Sequence, residues 1–122
     1  MTKLQAAKKE YKKLQKLLNL PRTTRILSKR MKYACGMFYP ASKGKPPRIY
    51  IDPKENASVD IVKATIAHEA AHIIAYMEYG VGSHGKKFLD SLRWVVKKAY
   101  GIRLPNKNFG ITTMDEILEI RM

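Results

Sequence analysis

The chain has 122 residues, enough for one domain with a core of its own. Its residues are 45% hydrophobic, which excludes wholesale disorder, and its single cysteine, Cys35, excludes both a disulfide framework and a zinc site of paired cysteines. The formal net charge of +14 favours a polyanionic partner over a neutral one.

The N-terminal residues predict a first helix. Thr2 is the expected N-cap, and apolar residues recur at three- and four-residue spacing as far as about Leu18. Asn19 and Pro21 are expected to end the helix. Lysines occupy most of its remaining surface.

Residues 23–52 favour strands over helix. Short runs of Ile, Tyr, Phe and Thr are separated by Gly and Pro, which predicts strands at Arg25–Ser28, within residues 33–39, and at Arg48–Ile51. Residues 40–47 contain three prolines and are expected to form a loop. We expect Arg48–Ile51 to be the sheet edge beside the following helix, where an extended peptide could add as a strand.

Two longer helices are predicted next. Ser58 is the expected N-cap of a helix over Val59–Tyr79, which Gly80 ends. Ser83 is the expected cap of a third helix, with His84 on its apolar face. Since Cys35 is small and unpaired, it is expected to be an ordinary buried side chain.

The last segment and the element order define the fold class. Thr113 and Glu116 have the spacing of a capping box at the start of a short final helix. The order is helix, about three strands and further helices, which predicts an α+β fold with a small antiparallel sheet. We expect one domain with a basic segment 1–48, a segment 49–100 that carries the chemistry, and a tail 101–122.

The residues with the most specific chemistry are His68, Glu69 and His72. On a helix, positions four apart share a face, so both imidazoles can bind one metal ion while Glu69 reaches a water beside it. In a shuffled chain of this composition the motif occurs with a probability on the order of 0.002. The alternative is a pair of packed or surface histidines. It is disfavoured because Glu69 is the only charged residue in the apolar stretch 64–77, where an unpaired carboxylate is costly.

A catalytic zinc ion usually takes three protein ligands and keeps one position for water. His84 is the expected third ligand because it lies 12 residues after His72 and faces the core in the predicted third helix. Asp90 is the competitor, but it falls off the apolar stripe, and Glu78 falls on the wrong side of its helix. The expected cofactor is therefore one Zn²⁺ ion.

The pairing of His68-Glu69-Ala70-Ala71-His72 with Ser83-His84-Gly85-Lys86-Lys87-Phe88 resembles the SprT-like metalloproteases, the Spartan-like DNA–protein crosslink proteases. The similarity spans roughly residues 24–99 and includes the glycine-containing strand and Arg48–Ile51. The resemblance implies a zincin-like fold, zinc bound by the three histidines, and Glu69 as catalytic acid/base. It also implies proteolysis of DNA-associated proteins, often stimulated by DNA. Many members carry a zinc ribbon with paired cysteines, which a chain with one cysteine cannot form.

The corresponding mechanism is a hypothesis at this stage. Zinc would polarise the scissile carbonyl and activate a water, and Glu69 would move the proton from that water to the leaving amine. Tyr76, Tyr79 and Arg103 are candidates to stabilise the oxyanion, although burial in the core is the expected role of either tyrosine.

The distribution of charge indicates where a polyanion would bind. Residues 1–48 hold 14 basic residues and one acidic residue, whereas residues 49–122 hold 10 and 9. We expect contacts to DNA phosphates without sequence specificity, on single or double strands. Tyr33, Phe38 and Tyr39 could stack on bases, but packing is the favoured role. The expected contact residues are Lys8, Lys9, Lys12, Lys13, Lys16, Arg22, Arg25, Lys29, Arg30, Lys32, Lys43 and Lys45.

Two other functions remain open from sequence. One is a nucleic-acid-binding protein on a zincin-like scaffold with structural zinc and little peptidase activity. The other is a zinc peptidase with one regulatory target, such as a repressor, whose basic face binds an acidic protein. Without a signal peptide or a span of about 20 apolar residues, an intracellular protein without membrane contact is expected, cytoplasmic or associated with DNA in a nucleus or nucleoid.

Overall fold

Four helices and three strands form within residues 1–32, 34–107 and 110–122, which are the residues that the computed structural model describes. The predicted α+β class with an N-terminal helix is confirmed. Tyr33, which was included in the second predicted strand, lies outside the described residues. In chain order the elements are α1 (Lys3–Leu18), β1 (Arg25–Ser28), β2 (Gly36–Tyr39), β3 (Arg48–Ile51), α2 (Val59–Tyr79), α3 (Lys86–Tyr100) and α4 (Ile111–Arg121).

The first helix begins and ends as its sequence predicts. Thr2 Oγ1 accepts a hydrogen bond from the backbone N–H of Gln5 at 3.1 Å, and the Thr2 N–H donates to Gln5 Oε1 at 2.8 Å. This is a complete capping box, which satisfies two backbone donors at the helix start. Asn19 ends α1 in the left-handed conformation, with φ of 55°. The apolar stripe, including Leu14, is buried against the rest of the domain.

α2 is the central element of the fold. It packs against α1, α3, α4, β2 and β3, so its middle turns are buried on most sides, as predicted. Ser58 Oγ accepts from the N–H of Ile61 at 3.2 Å, and Gly80 ends the helix with φ of 67°. Polar side chains on these middle turns are therefore placed in the interior. Among the described helices, none has the length and apolar content that a bilayer span requires.

The three strands form a mixed sheet rather than the antiparallel sheet expected. The strand order is β1-β3-β2, with β1 parallel to β3 and β2 antiparallel to it. The prediction that Arg48–Ile51 forms an edge is therefore wrong, because β3 pairs on both sides. Ile49 and Ile51 are fully buried. The edges are β1 and β2, and β2 is the one beside α2.

The starts of α3 and α4 differ from the prediction. α3 begins at Lys86 after an N-cap glycine, and α4 begins at Ile111 after another, and neither N-cap has a side-chain hydrogen bond. Ser83 and Thr113 are therefore not caps. The glycines, which the prediction did not use, provide the extended backbone before each helix. His84 consequently lies in the turn between α2 and α3, and not on the face of a helix.

A buried hydrogen-bond network connects the segment before β2 to α2. Asn56 Nδ2 donates to the carbonyl oxygens of Asp52 and Cys35 at 2.7 and 3.0 Å. Thr65 Oγ1 donates to Asn56 Oδ1 at 2.7 Å. Because Thr65 precedes Glu69 by one helical turn, the network ties the start of β2 to the turn of α2 that carries the candidate chemistry. Cys35 itself is half-buried rather than buried, and burial raises the pKa of its thiol.

Candidate metal centre and active site

Three imidazoles converge at one place. His68 and His72 project from the same face of α2, and His84 approaches them from the turn before α3. His84 Nε2 lies 2.9 Å from His72 Nε2 and 3.2 Å from His68 Nε2, and the nitrogens of all three lie within 4.8 Å of one another. The competing carboxylates, Asp90 and Glu78, are not in this cluster. Asp90 instead pairs with Arg93 at 3.1 Å.

His84 reaches the cluster in a different way from the one predicted. It was expected to face the core from a helix, but it is exposed in a turn. The fully buried ring of Phe88, in the first turn of α3, packs under the cluster. Its centroid lies 4.2 Å from that of His72 and 4.9 Å from those of His68 and His84. Phe88 thus forms an apolar floor that limits how the three rings can tilt.

Asp115 is a site residue that sequence reasoning missed. From α4, its Oδ1 lies 2.8 Å from His68 Nδ1. A carboxylate can only accept, so Nδ1 carries the proton and Nε2 presents a lone pair to the other imidazoles. Burial lowers the pKa of His68, but this hydrogen bond and the charges of Glu69 and Asp115 outweigh it and raise that pKa. The two residues are 47 positions apart, so no local spacing indicated the contact.

The other two histidines are held neutral. Burial, together with the charges of His68 and His84, lowers the pKa of His72 to about 3. Burial and His68 also lower the pKa of His84. Each ring therefore keeps an unprotonated nitrogen at neutral pH. Since one N–H cannot serve both short contacts to His84 Nε2, a shared cation satisfies this arrangement better than hydrogen bonds do.

The donor set fits one zinc ion. Tetrahedral Zn–N bonds of 2.0–2.1 Å imply nitrogens roughly 3.4 Å apart, close to the two short separations found. Three histidines leave a fourth position for water, as in catalytic zinc sites. Zinc is also a metal that imidazole ligands suit. His68, His72 and His84 are thus the residues that would hold it.

Glu69 is buried beside the cluster without being part of it. Its residue surface is only 2% exposed, yet it lines the same cavity as the histidines. Burial raises the pKa of its carboxyl group to about 7, against the opposing effect of His68. An acid/base group works best when its pKa is near the operating pH, so this environment suits proton transfer.

The cluster opens into a cavity of about 680 Å³. One wall is the edge strand β2, and another is α4, which contributes Asp115, Glu116 and Glu119. The size is suited to a segment of peptide. At one end Tyr76 packs edge-to-face on Phe38, with ring centroids 6.3 Å apart.

The residues considered for oxyanion stabilisation are placed differently from one another. Tyr76 lines the cavity, whereas Tyr79 lies under Lys87 Nζ at 4.4 Å, and Arg103 is absent from the cavity lining. Both tyrosines are exposed, at 43% and 49%, so their expected burial in the core is wrong. They occupy the last turn of α2, which extends past the elements that cover its middle. Tyr76 is the one in a position to contact a bound peptide.

A family model describing the SprT-like family matches residues 2–113 of the chain. The chain belongs to the SprT-like family. No curated protein and no solved structure matches it. The match includes the three histidines and Glu69 of this SprT-like domain, while Asp115 lies just beyond the matched residues.

Position 36 of the SprT-like domain requires a residue without a side chain. A Cβ atom on Gly36 would lie 2.6 Å from Thr65 Cγ2 and 3.3 Å from Glu69 Oε2. We expect Gly36→Ala to destabilise the protein by about 1–3 kcal/mol, because β2 must move away from α2. Urea unfolding measures this, with Gly82→Ala as control because nothing lies within 4 Å of its Cβ position. Equal unfolding midpoints for the two variants would contradict the close packing.

The contact between Asp115 and His68 gives a second expectation. Asp115→Ala should weaken zinc binding by about 10–100-fold, the usual cost of losing an outer partner of a ligand histidine. Competition with a chromophoric chelator measures the affinity. Glu116→Ala is the matched control, since it removes a neighbouring carboxylate that also lines the cavity. Equal losses in both variants would assign the effect to charge, and not to the hydrogen bond.

The basic residues predicted to contact DNA have different surroundings. Lys13 pairs with Glu10 at 3.7 Å, and Arg30 pairs with Asp52 at 3.6 Å. Lys29 Nζ lies 5.4 Å from the ring centroid of Tyr50. Lys9, Lys32, Lys43 and Lys45 are exposed. The other five, Lys8, Lys12, Lys16, Arg22 and Arg25, line one groove.

The aromatic residues predicted near these cations are engaged in packing. Phe38 contacts Tyr76 in the cavity beside the three histidines, and Tyr39 packs edge-to-face on Tyr50 with centroids 5.6 Å apart. Arg48 also lies 5.3 Å from the Tyr39 ring centroid. These contacts support the favoured packing role over stacking on bases.

Proposed function

We propose that this SprT-like domain is a zinc-dependent endopeptidase that cleaves proteins associated with or crosslinked to DNA. The observation that carries the proposal is the position of Glu69. Its carboxyl group is buried beside three converging imidazoles at the wall of an open cavity. A site that served only to stabilise the fold would not require this carboxylate.

The substrate would bind along β2. In the described residues this strand pairs only with β3, and its residues Gly36, Met37 and Phe38 line the cavity. An extended peptide can hydrogen-bond to a free strand edge through its backbone, which gives affinity with little dependence on sequence. Such a site accepts an unfolded segment, since a folded one has its backbone groups already paired. The scissile bond then lies between β2 and the histidines.

The chemistry divides between the metal and the chain. A zinc ion on the three imidazoles would supply Lewis-acid activation of a water and of the scissile carbonyl. Glu69 takes the proton of the attacking water and delivers it to the leaving amine. Asp115 holds His68 in the tautomer that presents Nε2. Tyr76 is in a position to donate to the developing oxyanion from the cavity wall.

The DNA part of the proposal rests on charge. The excess in residues 1–48 lies outside the segment that contributes the histidines and Glu69. A cationic surface separate from the reacting groups suits a role in bringing the enzyme to its substrate. In the rival function, zinc is structural and the protein only binds nucleic acid. Structural zinc sites are normally closed by four protein ligands, and this cluster has three with a cavity beside it.

One experiment separates these functions. The zinc-loaded protein is incubated with a DNA-binding protein, with no DNA, with single-stranded DNA and with duplex DNA, beside the Glu69→Gln variant. We expect cleavage that depends on DNA and that the variant lacks. Binding without cleavage in every condition would favour the nucleic-acid-binding protein. Cleavage at the same rate with and without DNA would support an endopeptidase but contradict the DNA part of the proposal.

A further inference from the structure

A second concave surface lies between α1 and β1. It is a groove of about 680 Å³ lined by five cationic side chains and by no carboxylate. These groove cations are Lys8, Lys12, Lys16, Arg22 and Arg25. Among the described residues, none of the five lies within ion-pair distance of an acidic side chain. Five like charges without counter-charges repel one another, and a bound polyanion would relieve that repulsion.

The groove cations are held in place by the fold. Lys8, Lys12 and Lys16 are four residues apart on α1, so they form one row about 12 Å long at 1.5 Å per residue. The opposite wall is the segment 20–25, which α1 fixes by hydrogen bonds. The Tyr11 hydroxyl lies 2.8 Å from the Pro21 carbonyl oxygen and 2.8 Å from Thr24 Oγ1.

A third hydrogen bond from α1 fixes the segment 20–25. Gln15 Nε2 donates to the Leu20 carbonyl oxygen at 3.0 Å. Arg22 is therefore carried by a loop that is bonded on both sides, and Arg25 by the first position of β1. The cleft and its five cations are therefore held in a defined arrangement by the fold.

The groove is separate from the catalytic cavity. It is bordered by β1, the cavity is bordered by β2, and β3 lies between them. Two strand spacings amount to about 10 Å. A ligand in the groove therefore leaves the β2 edge free for a peptide.

We propose that this groove binds the sugar-phosphate backbone of nucleic acid, at the sheet edge opposite the peptide cavity. The inference deepens the proposed function and rests on its DNA part, but it does not require catalysis. The 12 Å lysine row spans three or four phosphates of one duplex strand, at about 3.4 Å of rise each. A linear, concave row fits a polymer chain better than a flat bilayer. Phosphate contacts alone give binding without sequence preference.

The groove predicts a specific dependence on salt. Five phosphate contacts give a slope of log K against log salt of about −4.5 for duplex DNA. Lys8→Gln/Lys12→Gln/Lys16→Gln should reduce the slope to about −2 and the affinity at 0.1 M salt by about 10²–10³-fold. Fluorescence anisotropy of a labelled DNA duplex titrated with the protein measures both the slope and the affinity. Circular dichroism checks that the exposed substitutions leave the helices intact.

The matched control is Lys29→Gln/Lys43→Gln/Lys45→Gln. It removes the same three charges from the same segment, but from exposed positions outside the groove. We expect its slope and affinity to remain near those of the wild type. Equal losses in the two triple variants would overturn the proposal in favour of diffuse attraction. Tighter binding to polyglutamate or to phosphatidylserine vesicles than to duplex would overturn it in favour of an acidic protein or a membrane.

DNA binding and proteolysis can be measured separately. The anisotropy series is run in the Glu69→Gln background, so that it does not depend on turnover. Cleavage of an unfolded peptide by the wild type, measured with and without duplex, tests the endopeptidase alone. Duplex binding through the groove without peptide cleavage in either condition would refute the proposed enzyme and leave the groove proposal standing. Peptide cleavage without duplex binding would refute the groove proposal and leave the proposed endopeptidase standing.

Discussion

Glu69→Gln is expected to lower kcat for peptide cleavage by about 10²–10⁴-fold while zinc still binds with one ion per chain. Glutamine has nearly the same shape and fits the same buried position, but it cannot accept the proton of the attacking water. The three imidazoles keep their positions because Glu69 is not a member of the histidine cluster. The loss should therefore fall on kcat, with little change in KM.

The measurement uses an unfolded peptide substrate, with metal content determined on the same samples. Glu78→Gln is the matched control, since it makes the same change on the same helix at an exposed position outside the cavity. We expect its kcat to equal that of the wild type. Full peptidase activity in Glu69→Gln would show that the proposed acid/base role is wrong.

Local periodicity was sufficient to predict one part of this site. His68 and His72 share a face because they are four positions apart on a helix, and the boundaries of that helix follow from a serine cap and a glycine stop. The burial of Glu69 also follows from sequence, since the surrounding residues are apolar. These features depend only on neighbours in the chain, where helix geometry is regular.

The position of His84 was predicted for a partly incorrect reason. The short sequence distance between His72 and His84 predicted that His84 lies near the cluster. The apolar stripe of α3 was expected to orient the His84 side chain, but α3 begins only at Lys86 and does not include His84. The turn instead places the exposed His84 side chain against the ring of Phe88. Gly82 and Gly85 flank His84 in that turn, and these poor helix formers were the signal that a helix had not yet begun.

Contacts between distant segments could not be read from the sequence. Nothing in the alternation of β3 reveals that it pairs on both sides, so the free edge was assigned to the wrong strand. Asp115 meets His68 only because α4 packs across α2. The charge excess of residues 1–48 was visible, but which cations share a groove depends on how the segment 20–25 folds back on α1. Tertiary packing decides all three.

His84→Ala should abolish both stoichiometric zinc binding and peptide cleavage. It removes one of three nitrogens, and the remaining pair on α2 cannot hold the ion alone at a catalytic geometry. We expect the zinc affinity to fall by more than about 100-fold, because losing only an outer partner of a ligand already costs 10–100-fold. The fold should survive, since His84 is exposed in a turn and surface substitutions usually change stability by about 0.5 kcal/mol or less.

Thermal unfolding with and without zinc tests this without relying on activity. Zinc at 100 times its Kd should stabilise the wild type by about 2.7 kcal/mol, and this increment should vanish in His84→Ala while the metal-free proteins unfold alike. Ser83→Ala, in the same exposed turn, is the control that should keep the increment. Retention of the increment in His84→Ala would exclude His84 as a ligand. Because Glu69→Gln is expected to keep it, the two variants together separate the residue that moves protons from those that hold the metal.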